Sequence, residues 1–402
     1  MHSLRMLPWY LLLLPGVATA RAPSIDKLPS CARPCLVQGL SISSCLTANH
    51  PCLCNDTAYM SFMDACVTSN CLSADALATQ NYTWTACGLP EVNDYVSTQV
   101  PTLTVFFVLA SLSIFMRVAV KVAGVSAWGP DDWMILGAYA VFVAFVPMNV
   151  YEGRNGAGQN MWSLTADQIT NCFKGYYVLQ ALYHCTITLF KASVLFLYQR
   201  IFPFKRLSIA LWATQAFNLI TGVMFLFLGI FQCNPVHLAW TIWRQDAQSQ
   251  GTCMNIVDIG IAHGAIQVGL DLWMLALPLM QIQSLNLKWE KKSSLMAMFS
   301  LGLFLTAASS VRLRLLTEDH QETYNFTVNS LPISTWSIIE IGVGIFTACA
   351  PSIRQFFRVF ILRRRDGQAS LHSEPSPGRA SGGAVEEVHY ARSQTHVDEI
   401  IA

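Results

Sequence analysis

Eight of the thirteen cysteines lie between residues 31 and 87, where their chemistry is either disulfide formation or zinc binding. Structural zinc sites favour pairs of the form Cys-x2-Cys, and this segment contains none. An even number of cysteines in about 60 residues is typical of a disulfide framework, because so short a segment buries too little apolar surface to be stable alone. They are Cys31, Cys35, Cys45, Cys52, Cys54, Cys66, Cys71 and Cys87.

The spacing of these cysteines favours one pairing among the 105 that eight cysteines formally allow. The first two are four residues apart and the sixth and seventh are five apart, so each of these pairs fits one face of a helix. Two antiparallel helices would then be joined by two bonds. The four remaining cysteines then pair among themselves. Cys52 and Cys54 are separated by one residue, so they are unlikely to bond to each other. The predicted pairs are Cys31–Cys71, Cys35–Cys66, Cys45–Cys52 and Cys54–Cys87.

The amino terminus indicates the oxidising compartment that disulfides require. Residues 1–20 combine a weakly basic start, the apolar run WYLLLLPGVA and the small residues Ala18-Thr19-Ala20, which is the pattern of a cleaved secretory signal. The run is too short to cross about 30 Å of hydrocarbon. We therefore predict a signal peptide at 1–20 and a mature chain from about Arg21. An uncleaved anchor is the alternative.

The complete cysteine order, C-x3-C-x9-C-x6-C-x-C-x11-C-x4-C-x15-C led by Pro29, resembles the CFEM domain of fungal extracellular membrane proteins. The resemblance covers residues 29–87 and implies a helical basket with four disulfides. In haem-binding members an aspartate shortly before the Cys-x-Cys supplies the axial iron ligand, and Asn49 takes that position here. An amide is uncharged and binds ferric iron poorly, so the resemblance does not carry haem binding with it.

Two neighbours of Asn49 are candidates to replace the missing acid. The imidazole of His50 can ligate iron, but a lone histidine before Pro51 in a loop is more often a surface residue. Asp56 lies on the far side of the Cys-x-Cys and does not take the family's position. We therefore predict no cofactor and no metal site, with haem as the alternative.

Four charged residues lie within long apolar stretches, where charge is costly and usually faces the interior of a helix bundle. For two of them a structural alternative exists, since Lys191 can extend its charge to the membrane surface and Arg312 can sit at the interface. Asp271 and Glu340 lie deeper, so a polar-network or switch role is predicted for them. The full set is Lys191, Asp271, Arg312 and Glu340, with His184 and His263 as titratable neighbours.

The composition of the chain supports a membrane protein. Of its 402 residues, 53% are hydrophobic and 12% are charged, and the mean hydropathy is +0.40. The net charge of +1 gives no support for nucleic-acid binding. Seven apolar stretches are long enough to cross a bilayer. They run over about 98–119, 132–151, 174–198, 208–231, 257–281, 295–316 and 333–353.

Lysine and arginine in the short loops predict the orientation of these spans. With the amino terminus outside, the inner segments carry Arg117, Lys121, Arg200, Lys205, Arg206, Lys288, Lys291, Lys292, Arg354, Arg358 and Arg363 to Arg365. The outer loops carry only Arg154, Arg244 and, at a border, Lys174. Three N-glycosylation sequons fall outside in this topology, at Asn55, Asn81 and Asn325. We predict a multi-pass plasma-membrane protein with an extracellular amino terminus and a cytoplasmic carboxyl terminus.

The whole chain is therefore predicted to be all-α, with a signal peptide at 1–20, a disulfide-rich extracellular domain at 21–95, a seven-helix domain at 96–358 and a cytoplasmic tail at 359–402. The tail is rich in Ser, Gly and Pro, so it is predicted to be disordered. A further disulfide is predicted between Cys233 and Cys253 in the outer loop between spans four and five. The alternative pairs Cys172, also taken as an outer-loop residue, with either of them.

Several strings in the apolar region, taken in order, resemble the fungal rhodopsin-like seven-helix domain over about residues 100–360. They are GPDDW (129–133), FKASVLFLYQRIF (190–202), FQCNPVHLAW (231–240), DLWMLALPL (271–279) and IEIGVGIFTACAPSIR (339–354). That family includes pathogenicity-related receptor-like proteins and a satratoxin-cluster membrane protein. A CFEM module in front of such a domain is a subclass of these receptor-like proteins. Within the second string, at the inner end of the third span, Tyr198-Gln199-Arg200 occupies the place of the arginine switch of animal receptors, without its flanking acid.

The rhodopsin-like name of that family suggests retinal as a cofactor. Microbial rhodopsins attach retinal to a lysine of the last helix. The sequence has no lysine after Lys292, so a retinal adduct of that kind is excluded. GxSxG, HExxH and P-loop signatures are also missing from the sequence, so no enzymatic activity is predicted.

The function predicted from these observations is that of a fungal receptor that senses an extracellular or host-surface cue through its CFEM ectodomain. Its expected partners are that cue, a heterotrimeric G protein or another cytoplasmic effector, and membrane lipid, but no nucleic acid. The alternatives are a haem- or iron-capturing membrane protein and a transporter or scaffold that serves a secondary-metabolite gene cluster.

Overall fold

The structure is a computed structural model that describes residues 28–45, 50–201, 205–244, 250–282, 289–319 and 325–362. The predicted signal peptide, Asn49 and the tail after residue 362 lie outside the described residues. The chain divides into two compact units. The first comprises Met1–Val92 and Ile242–Gln250, and the second comprises Asn93–Thr241 and Gly251–Ala402. Apart from one pair of two-residue strands, the regular elements in the described ranges are helical, which confirms the predicted all-α class.

Four short helices and four disulfides form the first unit. The helices are α1 Arg33–Ile42, α2 His50–Asn55, α3 Thr57–Asn70 and α4 Ser73–Ala86. The disulfides are Cys31–Cys71, Cys35–Cys66, Cys45–Cys52 and Cys54–Cys87, the pairs that the spacing favours. Cys35–Cys66 joins α1 to α3, and Cys31–Cys71 joins the residues just before α1 and just after α3. A small core that includes Tyr59, Met63 and Val67 fills the space between the helices. The disulfides supply the constraint that so small a core lacks.

Asp56 begins α3 as its N-cap residue. Its carboxylate accepts hydrogen bonds from the Ser43 hydroxyl at 2.5 Å and from the backbone N–H groups of Ala58 and Tyr59 at 3.1 and 3.2 Å. The Ser43 hydrogen bond, followed by that from the Tyr59 amide, holds the pKa of this carboxyl below its usual range. Because the folded-state pKa is the lower one, the stabilisation is present above the unfolded pKa and is lost as pH falls through the folded value.

Seven long helices within the described ranges belong to the second unit, and each is long and apolar enough to cross a membrane, which confirms the seven predicted spans. They are α5 Val100–Val122, α6 Pro130–Arg154, α7 Ala166–Ile201, α8 Lys205–Ile230, α10 Ile256–Ile282, α11 Trp289–Asp319 and α12 Phe326–Phe356. A π-helical turn, Tyr95–Gln99, leads into α5, and another, Phe357–Leu362, continues α12. We call the end of the bundle where α5 begins the upper end, and the opposite end the lower end.

The third span differs from its prediction at the upper end. Helix α7 begins at Ala166, eight residues before the predicted start at 174. Its first turns are polar, so a hydropathy criterion sees the membrane-crossing part but not the whole helix. Cys172 therefore lies on α7, buried and free, and its assignment to an outer loop is wrong.

A small hairpin follows α8. Strand β1, Cys233–Asn234, pairs antiparallel with β2, Thr252–Cys253, and a disulfide joins Cys233 to Cys253. Between the strands lie α9, Leu238–Thr241, and a 3-10 turn at Ile242–Arg244. The favoured pairing is the one that the structure contains, and the alternative with Cys172 is wrong.

Helices α7 and α12 form the centre of the bundle. Their most apolar stretches are 61% and 67% buried inside the protein, against 28% to 39% for the other five spans. Helix α7 packs against α6, α8 and α12, and α12 packs also against α5 and α11. The other spans therefore turn most of their apolar surface towards lipid, while α7 and α12 can carry polar groups that only the protein interior accommodates.

Glycines on α12 allow this close packing. A Cβ atom on Gly344 would lie 2.7 Å from Phe190 Cζ on α7, and one on Gly342 would lie 2.7 Å from Phe106 Cβ on α5. Membrane helices associate through such small residues because lipid provides no hydrophobic drive between them.

Gly344→Ala should destabilise the bundle by about 1–3 kcal/mol, because the added methyl group overpacks the contact with Phe190. Gly269→Ala on α10 is the matched control, since a Cβ at that position meets nothing within 4 Å and alanine favours a helix. Thermal unfolding of the full chain in detergent measures both variants. Equal midpoints for the two would contradict this packing.

Candidate functional site

An ion pair between α7 and α10 lies in the middle of the bundle. Lys191 Nζ is 2.7 Å from Asp271 Oδ1, and the two side chains are 0% and 5% exposed. The same ammonium donates hydrogen bonds to the side-chain and backbone oxygens of Gln267 at 2.7 and 3.2 Å. Lys191 therefore does not extend to the membrane surface, and that alternative is wrong.

Ser309 on α11 lies between two carboxylates. Its hydroxyl oxygen is 3.0 Å from Asp271 Oδ2 and 2.7 Å from Glu340 Oε1 on α12, and it is 3.1 Å from the Leu305 carbonyl of its own helix. A serine hydroxyl carries one proton, so it donates to one of these acceptors at a time. The same side chains therefore have at least two hydrogen-bonding arrangements, in which Ser309 donates to Asp271 or to Glu340.

Glu340 completes the network on α12. Its Oε2 accepts a 2.7 Å hydrogen bond from the Tyr183 hydroxyl, and Arg312 Nε lies 3.3 Å from the same oxygen. That last contact has the distance of an ion pair but not the alignment of a hydrogen bond. The Arg312 guanidinium carbon is 4.6 Å from the centre of the Tyr183 ring. Because Arg312 is buried here, its placement at the membrane interface is wrong.

Two histidines extend the network towards the upper end. His184 Nδ1 on α7 lies 3.2 Å from His263 Nε2 on α10, and Gln267 Nε2 lies 3.1 Å from the same His263 nitrogen. We call the whole set the ionic network. It consists of Tyr183, His184, Lys191, His263, Gln267, Asp271, Ser309, Arg312 and Glu340. It connects α7, α10, α11 and α12 and contains two cations, Lys191 and Arg312, and two carboxyl groups.

The structure thus brings together all four charged residues predicted from the sequence and both histidines. Sequence reasoning missed the neutral members, Tyr183, Gln267 and Ser309. A signal for one of them was available, because His263, Gln267 and Asp271 follow one another at intervals of four and so share a face of α10. Ser309 carried no such signal, since small polar residues are common in membrane helices.

A second buried charge cluster lies at the lower end. The Arg117 guanidinium contacts Asp131 Oδ2 at 2.5 Å and Asp132 Oδ1 at 2.8 Å, and it donates to the Ala348 carbonyl of α12 at 2.6 Å. Lys121 Nζ lies 2.9 Å from Asp132 Oδ2. The acids are those of the GPDDW string. We call these four side chains the lower cluster.

Arg117 and Lys121, which the sequence analysis counts among the charges of the inner segments, are both buried on α5. A sequence signal for this burial was available, because Arg117 and Lys121 are four residues apart and the adjacent acids Asp131 and Asp132 follow after a short loop. Arg200 at the end of α7 lies beside the lower cluster, with Nη1 3.6 Å from Asp131 Oδ1. The acid near this arginine therefore comes from the start of α6 and not from the flanking sequence.

The three sequons differ in their surroundings. Asn55 and Asn81 are exposed in the first unit. Asn325 instead uses its amide nitrogen, the atom that would carry a glycan, to donate a 2.9 Å hydrogen bond to Asn160, and its oxygen accepts from the Met161 backbone N–H. Asn325 therefore holds the loop after α6 against the start of α12.

Around the Cys-x-Cys of the first unit, the sequence and the described residues offer haem a neutral amide and a carboxylate that caps a helix. The family's ligand position carries the neutral amide of Asn49, which lies outside the described residues. The nearby carboxylate, Asp56, is already engaged by the Ser43 hydroxyl and two backbone N–H groups as a helix cap. The retinal attachment of microbial rhodopsins needs a lysine in the last helix, and α12 contains none.

A disulfide-linked helical module joined to seven membrane-crossing helices with a charged centre defines a class of multi-pass membrane protein. The fungal rhodopsin domain matches residues 116–359 and the CFEM domain matches residues 24–88. The chain therefore belongs to the fungal rhodopsin domain family and carries a CFEM domain in front of that domain.

Named relatives of the chain include a membrane protein, a receptor and a biosynthesis-cluster protein. The chain is 27% identical over 282 residues to the SAT4 family membrane protein of Emericella nidulans, an alignment that covers 67% of this chain and 69% of the relative. It is 26% identical over 258 residues to Receptor GIN3 of Arthrobotrys oligospora, covering 63% and 61%. It is 25% identical over 181 residues to Satratoxin biosynthesis SC1 cluster protein 4 of Stachybotrys chartarum, covering 45% and 61%. No solved structure matches the chain.

Lys191→Met should destabilise the full chain by about 3–5 kcal/mol, because it leaves the Asp271 carboxylate buried without its cation. Arg314→Met is the matched control on a surface pair, since Arg314 and Glu318 are 79% and 55% exposed and such pairs contribute at most about 1 kcal/mol. Unfolding of both variants in detergent measures the difference. A Lys191→Met variant as stable as Arg314→Met would contradict a buried ion pair at this position.

Proposed function

We propose that this protein is a plasma-membrane receptor that converts an extracellular cue into a change of helix packing felt by a cytoplasmic effector, such as a heterotrimeric G protein. The upper end of the bundle faces outside and the lower end faces the cytoplasm. The named relative Receptor GIN3 supports the class of function. The ionic network supports the mechanism.

The orientation rests on charge and on redox chemistry. Basic residues gather near the lower end, and the positive-inside rule assigns that end to the cytoplasm. They include Arg200, Lys205, Arg354 and Arg358. Four disulfides in the first unit favour an oxidising, extracellular location for the residues that precede α5.

The observation that carries the proposal is the position of Ser309. One hydroxyl proton serves two buried carboxylates on two different helices, so the network has two arrangements of similar composition. A receptor requires two states whose ligand affinities differ, because a ligand shifts an equilibrium only by its differential affinity. Donation to Asp271 strengthens the tie between α11 and α10, whereas donation to Glu340 strengthens the tie between α11 and α12.

Helix α12 connects this switch to the lower end. Glu340 and Ala348 are eight residues apart on it, about 12 Å along the axis. Glu340 belongs to the ionic network, and the Ala348 carbonyl accepts a hydrogen bond from Arg117 of the lower cluster. A displacement of α12 at Glu340 would therefore change the contacts of α5 and α6 at the end that carries the basic residues. Basic lower-end residues would bind an acidic effector surface and the anionic headgroups of the inner leaflet.

A non-catalytic, cofactor-free role is part of the proposal. The charged groups of the ionic network pair with one another, so they are engaged in holding helices together. At the family's ligand position, Asn49 offers iron a neutral amide, and the nearby Asp56 caps a helix, which favours a sensing or adhesive role for the CFEM domain over haem capture.

Ser309→Ala should change the set of cytoplasmic proteins that meet the receptor, because it removes the proton shared by Asp271 and Glu340. The assay fuses a proximity-labelling biotin ligase to the carboxyl terminus and compares labelled proteins in fungal cells. Ser310→Ala is the matched control on the same helix, since the Ser310 hydroxyl donates only to the Thr306 carbonyl of its own helix among the described residues. Ser309→Thr keeps a hydroxyl at the position and should restore the wild-type set.

Each variant is compared at equal surface amount, measured with an epitope tag placed after the predicted signal cleavage site and detected on intact cells. Failure to detect that tag outside would contradict the orientation. Identical labelling by Ser309→Ala and Ser310→Ala at equal surface amount would contradict the switch.

A further inference from the structure

One edge of the Arg312 guanidinium has no hydrogen-bond acceptor. Among the described residues, neither Nε nor Nη2 has a hydrogen-bond partner, although Arg312 is 5% exposed. Glu340 Oε2 balances part of the charge from 3.3 Å, out of line with the N–H bonds. Buried donors without acceptors are costly, and charged ones more so. Nε and Nη2 form the edge of a guanidinium that pairs with both oxygens of a carboxylate.

The contacts of Lys191 determine which ring nitrogens of the two histidines donate a hydrogen bond and which accept one. Its ammonium can only donate, so the Gln267 atom 2.7 Å away is the amide oxygen, and the other Gln267 atom is an NH2 donor. That group lies 3.1 Å from His263 Nε2, which must therefore accept. The proton of a neutral His263 is then on Nδ1, an atom that has no partner among the described residues.

The same reasoning fixes His184. Its Nδ1 lies 3.2 Å from the accepting His263 Nε2, so it donates, and the unpaired His184 Nε2 is an acceptor. The unpaired buried groups of this region are thus three N–H bonds on the Arg312 edge and one on His263, against one acceptor on His184. A region so rich in donors favours an anionic, acceptor-rich molecule over a cation.

These groups share one part of the bundle. His263 is seven residues from the start of α10, and Arg312 is seven residues from the end of α11, so both lie about 10 Å below the upper helix ends. Gly264 follows His263, and a Cβ atom built there would lie 3.8 Å from Arg312 Nη2. The free edge of Arg312 therefore runs beside α10 at a residue without a side chain.

We infer that the upper half of the bundle is a binding site for a small molecule with a carboxylate group, held in a bidentate pair by the Nε–Nη2 edge of Arg312 between α10 and α11. The His263 Nδ1–H group supplies a further donor. This site deepens the proposed function and rests on it, since it names the chemical class of the cue and places it in the bundle in addition to the CFEM domain. Arg312 also contacts Glu340, so the carboxylate would compete with Glu340 for Arg312 and bias the proton of Ser309.

Binding of propionate, as the probe, to the purified full chain in detergent tests the site. At about 100 mM, a ligand with a Kd of about 10 mM fills nine tenths of the sites and raises the unfolding midpoint. Propionamide has nearly the same shape without the charge and should give no shift, and sodium chloride at equal ionic strength should give none either. Arg312→Lys keeps the charge but loses the two-atom edge, so it should weaken propionate binding about tenfold or more.

Two further variants make the test specific. Gly264→Ala places a methyl group 3.8 Å from Arg312 Nη2 and 3.1 Å from Leu313 Cδ1, so it should weaken propionate binding. Its unfolding midpoint without propionate measures how far the Leu313 contact alone destabilises the bundle. Arg314→Lys, on an exposed residue two positions away on the same helix, should bind propionate as the wild type does.

The inference is overturned if propionate does not shift the wild-type midpoint, if chloride or propionamide shifts it as much, or if Arg312→Lys binds propionate as well as Arg314→Lys does. The binding assay uses purified protein and no effector. Loss of the carboxylate site would therefore leave the labelling result with Ser309→Ala unaffected, and the two proposals fail separately.

Discussion

Burial of charge in an apolar interior is the constraint on which this structure depends. Two cations and two carboxyl groups lie in the middle of a bundle that is surrounded by hydrocarbon, and each would be too costly there without a partner. The Lys191–Asp271 pair joins α7 to α10, and the Arg312–Glu340 contact joins α11 to α12. Because these partners come from different helices, the cost of separating them is a cost of separating the helices.

The packing around the centre and the contacts at both ends of the bundle keep these charged groups buried. Glycines on α12 let it approach α5 and α7 closely, which buries Glu340 completely. The lower cluster ties α5 and α6 to α12 through Arg117, independently of the ionic network. The upper end is held by Asn325 and by the Cys233–Cys253 hairpin. In the centre, one donor, Ser309, has carboxylate acceptors on two other helices, so we expect rearrangement there.

The sequence predicted much of this architecture because the relevant signals are local. Seven apolar stretches, the cysteine spacing and the isolated charges within the spans are each visible within a short window. The prediction that Asp271 and Glu340 belong to a polar network follows from the cost of burial alone. Which residues pair is different, since it depends on the rotation and depth of each helix. The pairing of Lys191 with Asp271 and the place of Ser309 between the carboxylates could not be derived from a single sequence.

The errors have the same origin. Cys172 was assigned to a loop because the first turns of α7 are polar, and hydropathy does not distinguish a polar helical turn from a loop. Arg117 and Lys121 were counted only as inner-segment charges, since charge near a span end is usually solvated and gives no sign of a buried partner. Their burial depends on Asp131 and Asp132 meeting them across a loop. A rule based on average environments cannot anticipate such compensation between two helix ends.

The central claim is that the ionic network acts as one unit across four helices. A double-mutant cycle between Lys191→Met and Glu340→Gln, measured by unfolding of the full chain, tests it most directly. These two residues belong to the same network on different helices, linked through Asp271 and Ser309. A continuous network predicts a coupling free energy of about 1 kcal/mol or more, whereas effects that add within about 0.5 kcal/mol would show that the two pairs are independent and would contradict the account.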